Sequence, residues 1–190
     1  MRHLLGALIV SLFISPRAEA VTPIFDINAF YLSDTFTYSS ASSVYNRTFY
    51  DLMAGFGMTK KGSFVLGWAY SSMSFSDNPG TETKLTITDM GPKIAYYFDK
   101  DREWVIGFTY NLITKGTYSS GGSSTEMRGS SMRAELGYVP MMWESVLIGA
   151  KLIYYQASFS EEVVNQTTLN GVSNSRKVIY PSLSVTFRWD

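Results

Sequence analysis

The chain of 190 residues contains no cysteine, and its only histidine is His3. Without cysteine no disulfide can staple the fold, so the domain must hold itself together by other means. With neither Cys nor His beyond residue 3, Ser–His and Cys–His nucleophile pairs are impossible there. The usual nitrogen and sulfur ligands of zinc and copper are missing too. No metal and no cofactor is expected. An excess of one charge is also lacking: Lys+Arg and Asp+Glu number 16 each, with no basic run. A nucleic-acid partner is therefore excluded, because phosphate contacts need clustered cations. Long apolar runs are absent after residue 20, which excludes a membrane-crossing helix of about 20 residues.

What is present begins with a charge-then-apolar-then-small order. Arg2 and His3 precede the apolar stretch Leu4 to Ile14, Ser15 and Pro16 break it, and Ala18-Glu19-Ala20 supplies small residues at a cleavage site. Residues 1–20 are expected to be a cleaved signal peptide, leaving residues 21–190 as one domain. The remaining chain carries 14 basic and 15 acidic residues.

From Val21 onward, large apolar residues alternate with small or polar ones, the period-2 mark of a strand with two unlike faces. The pattern predicts eight strands, at about 24–37, 49–59, 63–75, 85–98, 104–118, 129–140, 145–159 and 177–189. Three connections are short, Lys60-Lys61-Gly62, Asp99 to Glu103 and Met141-Met142-Trp143-Glu144, while the others are longer and rich in Ser, Gly, Asn and Thr. Pro92 and Pro181 fall inside strands, and each removes a ladder donor, so bulges or bends are expected there.

One face is greasy throughout, as in Phe64, Leu66, Trp68 and Tyr70. The other is small and charged, with Gly55, Gly67, Gly107, Gly137 and Gly149 among Asp, Glu, Lys and Arg. Alternation alone does not say which face is inside, since a soluble ligand-binding barrel and a membrane barrel share it. Volume decides: an eight-stranded barrel has room for side chains only, and the bulky set would overfill it. Glycines on a concave wall also leave space for longer polar neighbours. The greasy face is expected to meet lipid. Aromatic residues near both strand ends, such as Trp104 and Trp189 at one and Tyr31 and Tyr110 at the other, fit two interfacial girdles.

The amino-terminal segment, the eight two-faced strands, the alternating turn lengths and the last strand Leu183-Ser184-Val185-Thr186-Phe187-Arg188-Trp189 together resemble the small Gram-negative outer-membrane barrels of the OmpX and OmpA membrane-domain type. The resemblance covers residues 21–190. It implies an all-β, eight-stranded antiparallel up-and-down transmembrane barrel in the outer membrane, monomeric, with long loops outside and both termini periplasmic. In that family the last residue is usually aromatic, whereas here Asp190 follows Trp189.

Two groups of residues are candidates for function. Asp26, Asp51, Asp89 and Glu135 balance Lys93, Arg133, Lys151 and Arg188 at lumen-facing parity, which is expected to form a neutral network that plugs the lumen. A selective ion pore would show one sign in a ring. Arg47, Lys84, Lys115, Arg128, Arg176 and Lys177 fall at the long-loop ends, where lipopolysaccharide phosphates would lie. Outer-membrane lipid and lipopolysaccharide are the expected partners, together with a surface ligand or host protein met by the loops, Ser160 to Arg176 being the longest. Three functions compete: a non-enzymatic surface barrel with a closed lumen, a narrow channel or transporter, and a histidine-independent hydrolase built on a pair such as Asp51 with Asp89.

Overall fold

A period of two along the sequence becomes a period of two in space, because successive strand side chains point to opposite faces. The computed structural model describes residues 22–38, 41–58, 63–78, 80–99, 101–164 and 167–189. The expected signal peptide, the Lys60-Lys61-Gly62 turn and Asp190 lie outside the described residues. The strands are β1 (Thr22–Tyr38), β2 (Ala41–Gly57), β3 (Phe64–Asn78), β4 (Thr83–Phe98), β5 (Trp104–Ser120), β6 (Ser123–Tyr138), β7 (Met141–Trp143), β8 (Val146–Val164) and β9 (Thr167–Arg188). Each sequential neighbour among the long strands pairs antiparallel, β6 pairs with β8 across the short β7, and β1 pairs with β9, which closes the ring.

The described residues hold nine strands rather than eight. The additional one is β7, where a tight turn was expected. Met141 and Trp143 pair with Leu147 and Val146, and the amide of Ile148 donates to the carbonyl of Pro140 at 3.1 Å. The turn retreats to Glu144-Ser145, and the chain before it gains a small ladder.

The strands also run further than expected at the far end. β1 and β2 stay in register to Tyr38↔Ala41, and Ser119↔Ser124 and Val163↔Thr168 continue the hairpins β5–β6 and β8–β9. Segments expected as long loops, Ser160 to Arg176 above all, are hairpins that project beyond the barrel. Backbone ladders carry them. The side-chain alternation fades because both faces there meet water, so nothing selects apolar residues for one of them. Gly121 and Gly122, at φ 55° and 84°, close the β5–β6 hairpin with the left-handed backbone that a two-residue turn needs.

Of the two prolines, Pro92 behaves as expected: the β4–β5 register shifts between Met90 and Lys93. Pro181 does not bulge the ladder to β8, where it faces Leu152 in regular register. Its effect falls on the other edge, where β1–β9 pairing runs from Ile24↔Arg188 only to Ala29↔Leu183.

Candidate functional site

The greasy face is outside. Leu66, Trp68, Ile106 and Leu152 are exposed, whereas the eight charged residues assigned to the lumen are 4% exposed or less. Phe98 stacks on Trp104 at 6.4 Å, Trp104 meets Tyr138 at 5.1 Å and Phe187 stacks on Trp189 at 6.1 Å, so the short-turn girdle is a set of paired rings.

Register explains how long charged side chains fit inside so narrow a barrel. Lys93 lies directly opposite Gly67, Glu135 opposite Gly107 and Lys151 opposite Gly137. A β-carbon on Gly107 would come within 2.6 Å of Glu135 Oε1, and one on Gly137 within 2.5 Å of Lys151 Cγ. Gly107 and Gly137 therefore hold open the space that their cross-strand partners cross, whereas a β-carbon on Gly67 would meet Met53 Sδ at 2.8 Å and the backbone of β2.

The charges meet around Asp26. Lys151 Nζ donates to Asp26 Oδ2 at 2.5 Å, and Lys93 Nζ donates to the same oxygen at 3.3 Å and to Glu135 Oε2 at 2.9 Å. Lys151 also lies 3.7 Å from Glu135. On its other oxygen Asp26 accepts from Ser184 at 3.1 Å and Thr186 at 2.7 Å. Asn28 donates to both Asp26 and Asp51, and Arg133 forms an ion pair with Asp51. Two acids and two lysines thus share one cluster, with the Arg133–Asp51 pair joined to it through Asn28. Burying a charge costs several kcal/mol unless it is paired and hydrogen-bonded; the cluster around Asp26 supplies both, while Arg133 is paired through one nitrogen and its Nε and Nη2 find no hydrogen-bond partner among the described residues.

Asp89 is held differently. Asp89 accepts from Ser131 and Tyr155, each at 2.8 Å, and from Ser71 at 3.2 Å, so hydroxyls rather than a cation hold it. The Arg188 guanidinium lies 5.9 Å from the Tyr97 ring centre, at the short-turn side of the belt.

The inner face is not only small and charged, which corrects the expectation from sequence. Above the belt, Phe49, Met73, Phe75, Ile87, Tyr155 and Phe159 form a buried apolar layer with Tyr180, and Phe30 packs against it. Phe49 lies 4.8 Å from both Phe75 and Tyr180 and 5.3 Å from Phe30, as one connected row of rings. Below the belt, Ile24, Met53, Val65, Tyr97, Val105 and Leu147 form a second apolar layer. The lumen is filled in three tiers. A signal for the upper tier lay in the sequence: Phe49 precedes Asp51 by two, and Tyr155 follows Lys151 by four, at the same parity as the charges.

The basic residues at the long-loop end divide. Lys84, Lys115, Arg128 and Lys177 are exposed and point outward, with Lys115 directly opposite Arg128. Arg47 and Arg176 instead turn into the mouth of the barrel, their guanidinium carbons 5.5 and 4.2 Å from the Phe75 ring centre. Both have lumen parity, which the expectation of a single rim overlooked. Arg47 pairs with Asp77.

Solved structures resemble this chain in fold. With Neisserial surface protein A, of Neisseria, the chain shares 16% identity at a TM-score of 0.52, over 89% of this chain and 97% of that one. With OmpT, an outer membrane protein of Vibrio cholerae, it shares 9% identity at a TM-score of 0.29, over 90% of this chain and 52% of that one. No family model and no curated protein matches the sequence. The likeness to the Neisserial protein is one of fold.

Proposed function

We propose that residues 21–190 form a non-enzymatic outer-membrane barrel with a closed lumen, acting through the surface that its projecting hairpins present. One observation carries this reading: a charged belt between two apolar tiers occupies the lumen, every belt charge being 4% exposed or less. A conducting path would need water along the wall, and a pore selective for ions would need one sign of charge in a ring. Here the lysines and acids neutralise one another. In this reading residues 1–20 direct export, both termini are periplasmic, and the protein works as a monomer.

The hydrolase alternative is weakened by the same geometry. Asp51 is engaged by Arg133 and Asn28, and Asp89 by three hydroxyls, beneath a layer of packed rings. A carboxylate pair that cleaves a glycoside needs a substrate between its members and a free acid. Lipopolysaccharide contact falls to the outward residues Lys84, Lys115, Arg128 and Lys177. Lys115 and Arg128 face each other as like charges, an arrangement that an anionic phosphate between them relieves.

Planar-bilayer conductance of the refolded protein tests the closed lumen. No steady conductance is expected from the wild type, and a stable open level would replace this reading with the channel.

A further inference from the structure

A β-bulge in β8 re-aims one carboxylate. Counting by twos from Lys151 through Phe159, all buried, puts Glu161 on the lumen side and Glu162 on the outside. The register shifts between Phe159 and Glu161 in the ladder to β9 and between Arg128 and Gly129 in the ladder to β6, so Ser160 is the extra residue. Glu162 therefore stands opposite Met127, a buried residue of the inner face, while Glu161 stands opposite the outward Arg128. Bulges of this kind recur beside binding sites because one inserted residue turns a side chain to the other face.

Glu162 borders a cavity of about 360 Å³ at the barrel mouth. The floor is apolar, made by Leu85, Met127 and Phe159, and Tyr118 forms part of the wall. Arg176 lines the same cavity, so both signs of charge face it. Neither is spent on the other among the described residues. Glu162 accepts from Asn174, whereas Arg176 lies on the Phe75 ring at 4.2 Å and its Nε is buried without a hydrogen-bond acceptor. Asn174 and Arg176 are two residues apart on one face of β9, which sets them about 7 Å apart along the strand. The carboxylate beside Asn174 and the guanidinium thus present opposite charges across a span of that order.

We propose that this vestibule captures the two ends of a short peptide, its ammonium on Glu162, its carboxylate on Arg176 and an apolar side chain on the floor of Leu85, Met127 and Phe159. An extended dipeptide spans about 7 Å, which matches the separation of the two charges, whereas a single amino acid carries both of its charges on one carbon and reaches only one of them. An apolar cavity with a few convergent polar groups is the usual form of a small-ligand site, and this volume lies within the range of such sites. The cavity belongs to the surface that the projecting hairpins present, and its assignment rests on that surface being the working one.

The test is isothermal titration of the full barrel in lipid nanodiscs with leucyl-leucine, with heat-modifiable gel mobility checking the fold of each variant. The wild type is expected to bind leucyl-leucine saturably, and to bind leucine, the N-acetyl dipeptide and the dipeptide amide at least about tenfold more weakly, the loss of one charge-assisted hydrogen bond. Glu162→Gln and Arg176→Gln should each weaken leucyl-leucine by a similar factor, and the losses should interlock. Acetylation should cost nothing further in Glu162→Gln, and amidation nothing further in Arg176→Gln. Arg176→Lys, which keeps the charge, should retain most of the binding. Planar-bilayer conductance reads the lumen alone, so the closed lumen and the peptide site fail separately. Absence of saturable binding by the wild type, equal affinity for leucyl-leucine and its blocked forms, or losses that add instead of interlocking would each overturn the proposal. So would glycerophosphocholine that displaces leucyl-leucine at equal affinity, which would assign the cavity to a lipid headgroup.

Discussion

The charged belt and the aromatic tier above it share one wall, one parity and the same eight long strands, yet they are held together in opposite ways. In the belt, side chains are long and polar, glycines face them across the strands, and directional bonds converge on Asp26. In the tier, rings meet rings and shape complementarity replaces hydrogen bonding. At the β1–β9 seam the backbone follows the same division, although the β4–β5 register shifts beside Lys93 within the belt. The β1–β9 ladder is intact where Asn28 and Ser184 belong to the belt and stops where Phe30 and Tyr180 belong to the tier. Buried charges need a fixed frame, because small displacements leave them unpaired in a low dielectric. Packed rings tolerate a missing rung because their attraction is non-directional.

The comparison is broken most severely by unbalancing the belt. Lys151→Met removes one cation from two buried acids and should destabilise the barrel by about 3–5 kcal/mol, whereas Lys151→Met with Glu135→Gln should recover much of that loss. Urea unfolding monitored by gel mobility or tryptophan fluorescence reads both, and additive losses would show that the belt is not one network. Next in size, Leu66→Arg places a charge on the lipid face and should cost about 2–4 kcal/mol. The same substitution at a residue of the projecting hairpins, such as Thr35, should cost little, and equal penalties would contradict the position of the lipid belt.

Smaller effects sharpen the boundary between the two regions. Tyr155 belongs to the tier but donates to Asp89, so Tyr155→Phe should cost about 1–3 kcal/mol through the lost bond alone. A loss below that range would mean that Ser131 and Ser71 hold Asp89 unaided. Within the tier, Ile87→Val deletes one buried methylene and should cost about 0.5–1.5 kcal/mol without altering conductance. Smallest of all, changing Lys84, Lys115, Arg128 and Lys177 to Gln should remove about 1 kcal/mol per site of lipopolysaccharide-induced stabilisation near an anionic surface. The same change at Arg47, which faces the mouth, should leave that stabilisation intact, as a thermal scan with and without lipopolysaccharide would show.

Much of the candidate site was legible in the sequence. Asp26, Lys93, Glu135 and Lys151 could be placed in the lumen because period-2 alternation assigns a face to every strand residue, and volume then assigns the faces to lipid or lumen. Pairing among them was not legible. Asp26 and Lys151 are 125 positions apart, and only the register of β1, β9 and β8 sets their approach. Asp89 illustrates the same limit: as one of four acids balanced against four bases it was expected to face a cation, yet hydroxyls of Ser131, Tyr155 and Ser71 surround it. Arg47 and Arg176 looked like rim residues because their position along the strand was read without their parity.

The sequence by itself determined the strands, their two faces and the exclusion of histidine and cysteine chemistry, because these depend only on residue type and on spacing along one strand. The tertiary structure alone decided which glycine shelters which charge, where rings replace charges in the lumen, and that the ladder fails beside Pro181. The physical reason is that cross-strand neighbours are set by the register of whole strands. Register is the joint outcome of every hairpin and bulge around the ring, not a property that any one segment carries.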